Sequence, residues 1–171
     1  MSKYRNKLVS VSTASPVLVV IDMQKNFTAD AGLIQVVERE IMLAVQSQTT
    51  VVIVDYKFCG DVHESLLDAA QLEVGSDLRF AVTKNDDNGA AEILGACRRR
   101  GISLDYLRIC GVNTNACVQD TTMALAHQLP RSRVELLGYA CRNASGPNDY
   151  KDFVGRNISV LKDEPGLFMA A

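Results

Sequence analysis

The sequence contains few histidines and no closely spaced cysteine pair, and both shortages narrow its chemistry. His63 and His127 are the only histidines. The five cysteines include no Cys-x-x-Cys pair and their number is odd, which favours reduced thiols over a disulfide framework. We therefore expect a cytosolic protein with free cysteines.

Long apolar runs and strong charge of either sign are also missing. No apolar run approaches the roughly 20 residues that cross a membrane, and no apolar segment of a signal peptide follows the basic residues at the start of the sequence. The net charge is −2 and the basic residues are scattered apart from two short runs, whereas a nucleic-acid-binding surface is basic and clustered. We therefore expect neither a membrane nor a nucleic acid as partner.

The sequence does contain a regular alternation of strand-like and helix-like segments. Continuous aliphatic runs predict strands covered on both faces, and the segments between them have helical periodicity. The predicted strands are 15–22, 49–56, 78–84, a strand from about 104, 133–137 and 157–161, and the predicted helices are 31–48, 65–70, 88–100 and one from about 117 to 128. This alternation predicts one α/β domain over residues 1–171. We expect a three-layer, Rossmann-like doubly wound sheet of about six mostly parallel strands, with helices on both faces.

Three reactive side chains follow strands of this predicted sheet. Asp22 follows the first strand, Lys84 the third and Cys117 the fourth. Ligands of such sheets bind at the carboxyl ends of the strands, so the topology predicts that the three converge. Cys117 falls in the predicted first turn of a helix, where free N–H groups and the helix dipole favour a thiolate.

Histidine is the usual base for a cysteine nucleophile, but neither histidine is well placed. His127 lies ten residues beyond Cys117 on the predicted helix, about 15 Å along its axis. His63 lies in a polar loop. The residues alone therefore leave the base unassigned.

Two segments resemble the signatures of one known family. Residues 111–118, Gly-Val-Asn-Thr-Asn-Ala-Cys-Val, resemble the Gly-Val-x-Thr-x-x-Cys-Val nucleophile segment of the isochorismatase-like cysteine hydrolases. This superfamily includes nicotinamidases and N-carbamoyl amidohydrolases. Residues 22–27, Asp-Met-Gln-Lys-Asn-Phe, resemble its Asp-x-Gln-x-x-Phe signature, and Lys84 falls where the family has its lysine.

The resemblance implies a cysteine hydrolase that cleaves the C–N bond of a small amide or carbamoyl compound. Its triad would be Asp22, Lys84 and Cys117. Cys117 would form the acyl-enzyme, Asp22 would be the general acid and base, and Lys84 would lower the pKa of the thiol. The resemblance further implies a cis peptide bond between Val112 and Asn113, and an oxyanion hole made by the N–H groups of Asn113 and Cys117.

The resemblance also places residues around the substrate. Phe27 would form an apolar wall, Gln24 would support the loop, and Tyr56 would line the pocket. Members of the family usually form dimers or larger oligomers, so we expect a homo-oligomer. We expect no cofactor.

One element departs from the nicotinamidases of this superfamily, which bind a divalent metal through an Asp-Trp-His element and a further histidine. This chain has Asp55, Tyr56 and Lys57 there, and Asp55 with His63 falls short of the three protein ligands usual in catalytic zinc sites. We therefore expect no metal, and nicotinamidase activity proper only if a metal site is completed. Lys57 either pairs with Asp55, which we favour, or presents a cation to an anionic substrate.

Two further functions remain open. The segment 85–91 lacks the aromatic residue that relatives often have after their lysine, which, with the missing metal element, suggests a catalytically silent ligand-binding homologue. A reactive Cys117 would also suit a redox sensor with Cys59 or Cys141 as resolving thiol. The sequence identifies neither the substrate nor a role for the segment after Gly146, because pocket walls are formed by loops.

Overall fold

Six parallel strands form the centre of the structure, a computed structural model that describes residues 15–72 and 76–164. Their order across the sheet is β3-β2-β1-β4-β5-β6. The strands are β1 Val17–Ile21, β2 Thr50–Tyr56, β3 Arg79–Lys84, β4 Tyr106–Val112, β5 Arg133–Arg142 and β6 Ile158–Leu161. The predicted α/β doubly wound sheet is confirmed, and its strand order switches between β1 and β4.

Four α-helices connect the strands in the described ranges: α1 Ala31–Gln46, α2 Glu64–Ala70, α3 Ala90–Arg99 and α4 Gln119–Gln128. α1 packs against α2, and α3 packs against α4. The start of α1 is capped by Asp30, whose carboxylate accepts a 3.0 Å hydrogen bond from the N–H of Leu33. None of these helices is long and apolar enough to span a membrane.

The two central strands explain why their sequences are continuously apolar. Every residue of Val17–Ile21 is buried, and so are the residues of 50–54. β1 pairs with β2 on one side and β4 on the other, so that Ile21 lies opposite both Val54 and Gly111. Helices cover both faces of such a strand, which leaves it no solvated side for polar residues.

β5 is longer than the sequence predicted. The predicted strand 133–137 ends before Gly138, whereas the structure continues it to Arg142. Gly138 does not end the strand; a Cβ there would lie 3.0 Å from the carbonyl oxygen of Leu161 and 3.1 Å from the ring of Tyr150. The residue is small because two neighbours approach it. The register between β4 and β5 shifts between Ile109 and Gly111, and this bulge accommodates the extra length of β5.

Gly111 allows β1 and β4 to approach closely beside the end of β1. Its φ is +126°, and a Cβ there would lie only 2.0 Å from the carbonyl oxygen of Ile21. No L side chain fits without a shift of backbone. Because Ile21 directly precedes Asp22, Gly111 fixes the spacing between the two strand ends that carry Asp22 and Cys117.

We therefore predict that Gly111→Ala lowers the free energy of unfolding by more than about 2 kcal/mol. Urea unfolding followed by circular dichroism measures this change. Gly95→Ala in α3 is the matched control, because its Cβ would meet only the flexible end of Arg99 at 3.3 Å. Alanine there should stabilise the helix by about 0.5–1 kcal/mol. Equal unfolding midpoints for Gly111→Ala and the native protein would contradict the interpretation.

Candidate active site

Asp22 and Lys84 form an ion pair that is buried at the carboxyl edge of the sheet. The Lys84 ammonium lies 3.0 Å from Asp22 Oδ2, and the side chains are 0% and 1% exposed. Asp22 leaves β1 with a left-handed φ of 54°, and its N–H donates to the carbonyl of Val54 at 2.9 Å. The turn at the end of β1 thus directs the carboxylate along the edge of the sheet.

Lys84 reaches Asp22 by crossing the end of β2, which separates β3 from β1. Tyr56, the last residue of β2, is paired with Lys84 in the sheet, and the ammonium lies 4.1 Å from the centre of the tyrosine ring. The ammonium also donates to the backbone carbonyl of Asp86 at 2.9 Å and, more weakly, to that of Asp87 at 3.5 Å. A buried ammonium requires such partners.

The Asp22 carboxylate is held in a state suited to proton transfer. Burial raises its pKa, whereas the adjacent Cys117 thiol and the Lys84 ammonium lower it. The Lys84 ammonium occupies Oδ2 at 3.0 Å, whereas Oδ1 has no donor in hydrogen-bond geometry in the part of the chain that the structure describes. Oδ1 is therefore able to accept a proton or a hydrogen bond.

Cys117 does not lie in a regular helix, contrary to the prediction that it occupies a helical first turn. Thr114–Val118 forms one π-helical turn with irregular dihedral angles at Asn115 and Ala116, and α4 begins only at Gln119. The carbonyl of Asn113 accepts from the N–H groups of Ala116 at 3.2 Å and Val118 at 3.1 Å. Cys117 therefore lies in the turn that precedes α4, beside the ion pair.

Residues 143–150, in the loop after β5, bind this turn through hydrogen bonds to Thr114 and Asn115. Asn143 accepts from the N–H of Asn115 at 3.0 Å and donates to its side-chain oxygen at 2.7 Å. Asn115 also accepts from the N–H of Asp149 at 3.0 Å and donates to its carbonyl. Asn148 accepts from the Thr114 hydroxyl at 2.8 Å. These bonds compete with helical ones and explain the irregular turn.

Opposing effects act on the pKa of the Cys117 thiol, and the net shift is upward, contrary to the expectation of a lowered pKa. Burial and the adjacent Asp22 carboxylate raise the pKa of Cys117 to about 12, and Lys84 offsets this only in part. Because α4 begins after Cys117, the sulfur is not inside the first turn of that helix. The thiol lies beside the Asp22 carboxylate, which contributes to the raised pKa, and donates a hydrogen bond to Asp87 Oδ1 at 3.5 Å.

The remaining predicted site residues lie around this cluster. The peptide bond between Val112 and Asn113 is cis; the oxyanion hole at Asn113 and Cys117 stays a prediction. The rings of Phe27 and Tyr56 meet edge to face with centres 6.2 Å apart, and both residues are partly exposed. They form an apolar wall beside Lys84, and its contact with a substrate stays a prediction.

Gln24, predicted for the substrate pocket, lies behind this wall and is fully buried. Its amide donates to the carbonyls of Tyr56 at 3.0 Å and Gly60 at 2.5 Å, and it accepts from the N–H of Tyr56 at 2.7 Å. All of these partners are backbone groups. Gln24 therefore supports the wall by binding the backbone of Tyr56 and of Gly60.

The residues at the end of β2 do not fit the metal centre of nicotinamidases. Asp55 accepts from the hydroxyl of Thr83 at 3.0 and 3.2 Å, and His63 Nε2 lies 2.8 Å from the carbonyl oxygen of Thr28. Since a carbonyl only accepts, that nitrogen carries a proton. In the ranges 15–72 and 76–164, no three His, Cys, Asp or Glu side chains cluster closely enough to hold a metal ion.

The predicted pairing of Lys57 with Asp55 is wrong among the described residues. Thr83 lies directly opposite Asp55 in the sheet and takes up both carboxylate oxygens. The Lys57 ammonium lies instead 4.9 Å from the centre of the exposed Phe58 ring. The neighbouring strand, which sequence alone could not align, supplies the nearer partner.

Sequence reasoning missed Asp87, an exposed residue of the loop after β3. Its Oδ1 accepts a hydrogen bond from the Cys117 thiol at 3.5 Å. The only signal in the sequence is its place three residues after Lys84, within the run Asn-Asp-Asp-Asn. A polar run of this kind indicates a loop but not the direction of its side chains.

We predict that Asp22→Asn accelerates alkylation of Cys117 by iodoacetamide at pH 8. The Asp22 carboxylate raises the pKa of the thiol, so its removal lowers that pKa, and each unit gives about tenfold more thiolate at a pH below it. Peptide mapping identifies the labelled cysteine. Asp55→Asn is the matched control and should leave the rate unchanged. A slower or equal rate in Asp22→Asn would contradict the geometry.

No protein-family model matches the sequence, and no curated protein matches it. Solved structures do match. They include an isochorismatase family protein (TM-score 0.65, 15% identity, 85% of this chain and 97% of that chain) and the nicotinamidase of Staphylococcus aureus (TM-score 0.64, 14% identity, 77% and 85%). A third is the MAR1 ribonuclease of Caenorhabditis elegans (TM-score 0.63, 16% identity, 77% and 67%).

Identities this low establish the architecture and leave the chemistry to be argued from the site. The similarity covers most of this chain and nearly all of the first of these structures. The fold that the resemblance of the two signatures implied is therefore confirmed. The chain has the fold of isochorismatase-family proteins and nicotinamidases.

Proposed function

We propose that this chain is a metal-independent cysteine hydrolase that cleaves the C–N bond of a small amide or carbamoyl compound. The observation that carries the proposal is the convergence of Asp22, Lys84 and Cys117 from three separate strand ends into one buried cluster. A buried ion pair contributes little to stability compared with apolar residues of similar volume. Its position beside a thiol therefore supports a chemical role.

The first half of the reaction uses the neutral thiol. The sulfur of Cys117 attacks the carbonyl carbon while its proton passes to the Asp22 carboxylate, so no free thiolate has to form in the buried site. The carbonyl oxygen becomes negative and would be held by the N–H groups of Asn113 and Cys117. Lys84 keeps Asp22 ionised beforehand and offsets the charge that develops beside it.

The second half returns the proton. Protonated Asp22 donates to the substrate nitrogen, the C–N bond breaks, and ammonia or an amine leaves a thioester on Cys117. A water molecule then gives a proton to Asp22 as its oxygen attacks the thioester. The C–S bond breaks, the sulfur recovers the proton from Asp22, and a carboxylic or carbamic acid is released.

Two further features support the setting of this reaction. All five cysteines are free in the structure, which suits a compartment that keeps thiols reduced, such as the cytosol. The partly exposed rings of Phe27 and Tyr56 suit a small organic substrate.

Ammonia release from a panel of small amides and ureido compounds tests the proposal. Cys117→Ala should reduce the rate to background. Lys84→Met keeps the length of the side chain and should lower kcat by about 100-fold or more, because Asp22 loses its counter-charge. Lys25→Met is the control, since that lysine pairs with Glu64 on the surface, and it should retain the native rate.

Two results would contradict the proposal. Turnover that survives in Cys117→Ala would remove the nucleophile from the mechanism. Native protein that binds compounds of the panel without releasing ammonia would indicate a ligand-binding homologue instead.

A further inference from the structure

A second carboxylate, on the loop that follows β3, lies close to the sulfur of Cys117. Asp87 Oδ1 lies 3.5 Å from the sulfur of Cys117. Unlike Asp22, which is buried, Asp87 is exposed to solvent. A molecule whose carbonyl carbon reaches the sulfur must therefore pass close to the Asp87 carboxylate.

The loop that carries Asp87 is fixed by the catalytic cluster itself. The Lys84 ammonium donates to the carbonyls of Asp86 and Asp87. The hydroxyl of the buried Thr121 lies 3.4 Å from the carbonyl of Asp87 and accepts from the N–H of Gly89 at 3.0 Å. A Cβ on Gly89 would lie 3.0 Å from Lys84 Cδ. The backbone of Asp87 is thus held from both β3 and α4.

The charges around the sulfur favour a cation. Two carboxylates, those of Asp22 and Asp87, and one ammonium, that of Lys84, lie around the sulfur, so these three side chains have a formal charge of −1. Lys84 is unavailable to an anionic substrate because its side chain is 0% exposed and already paired with Asp22. In the part of the chain that the structure describes, Asp87 forms no salt bridge.

We propose that Asp87 is a specificity-determining residue that binds a positively charged group of the substrate next to the scissile carbonyl. The substrates would be small amides with an ammonium group on the first or second carbon next to the carbonyl carbon, that is, the α- or β-carbon. This inference rests on the hydrolase function proposed above and narrows its substrate class.

The distances allow such a contact. From standard bond lengths, an ammonium nitrogen on the α-carbon lies about 2.5 Å from the carbonyl carbon. That carbon stands roughly 3–3.5 Å from the attacking sulfur in a reactive complex. The Asp87 oxygen, 3.5 Å from the same sulfur, can therefore reach the ammonium at the length of a charge-assisted hydrogen bond, about 2.8 Å.

Alkylation of Cys117 by three reagents tests the charge preference without knowledge of the substrate. The reagents are iodoacetamide, which is neutral, iodoacetate, which is anionic, and 2-bromoethylammonium, which is cationic. Each rate is divided by the rate with free 2-mercaptoethanol, and the neutral reagent corrects for any change in thiolate. We expect the native protein to prefer the cation, and Asp87→Asn to lower the cation-to-anion ratio by about tenfold at low salt.

Asp86→Asn is the matched control. This variant removes the same charge one residue away. Its amide oxygen can still accept the 2.9 Å hydrogen bond that the N–H of Asn88 donates to Asp86 in the native protein. Its effect on the ratio should be much smaller. A ratio unchanged by Asp87→Asn, or lowered as much by Asp86→Asn, would overturn the assignment of Asp87.

The outcomes separate this inference from the function on which it rests. Labelling of Cys117 with no charge preference would overturn the role of Asp87 and leave the hydrolase proposal intact. Failure of all three reagents to label Cys117 at any pH, together with no ammonia release from glycinamide or propionamide, would overturn both. Faster ammonia release from glycinamide than from propionamide in the native protein, with the preference lost in Asp87→Asn, would support both.

Discussion

The buried ion pair between Lys84 and Asp22 is the constraint on which the rest of the site depends. Two charges removed from water are tolerated only where attraction and further polar contacts compensate. Here the ammonium, 0% exposed, has the carboxylate at 3.0 Å, the ring of Tyr56 and the carbonyls of the following loop. These contacts of the ammonium fix the end of β1, the end of β2 and the loop after β3 relative to one another. Cys117 is then held against the pair by the turn at the start of α4.

This arrangement gives the thiol a different character from that of a free nucleophilic thiolate. A helix N-terminus and an ammonium would lower its pKa, but burial and a carboxylate beside it act more strongly, and the pKa rises to about 12. In the proposed mechanism the sulfur therefore loses its proton during attack, to the same carboxylate that later protonates the leaving nitrogen. In that proposal the ion pair keeps the carboxylate ionised as a base, which gives Lys84 a role although it need not touch the substrate.

Much of the fold and the meeting of Asp22 with Lys84 was predictable from the sequence, because aliphatic runs mark buried parallel strands and the two signatures mark the ends of β1 and β4; the catalytic roles stay predictions. The irregular turn around Cys117 was not, since it is imposed by Asn143 and its neighbours, far away in sequence. The length of β5 was hidden by Gly138, which typically ends a strand but here makes room for Tyr150. The direction of the Asp87 side chain depends on loop packing that no periodicity encodes.

The most direct test of the central claim is the mass of the protein during turnover. A reaction with an amide substrate, quenched in acid within the first turnovers, should yield protein heavier by the acyl group, with the addition on the peptide that contains Cys117. The adduct should be absent in Cys117→Ala and should disappear as hydrolysis is completed. Steady ammonia release from native protein with no adduct on Cys117, at times when turnover is under way, would contradict a covalent mechanism at this cysteine.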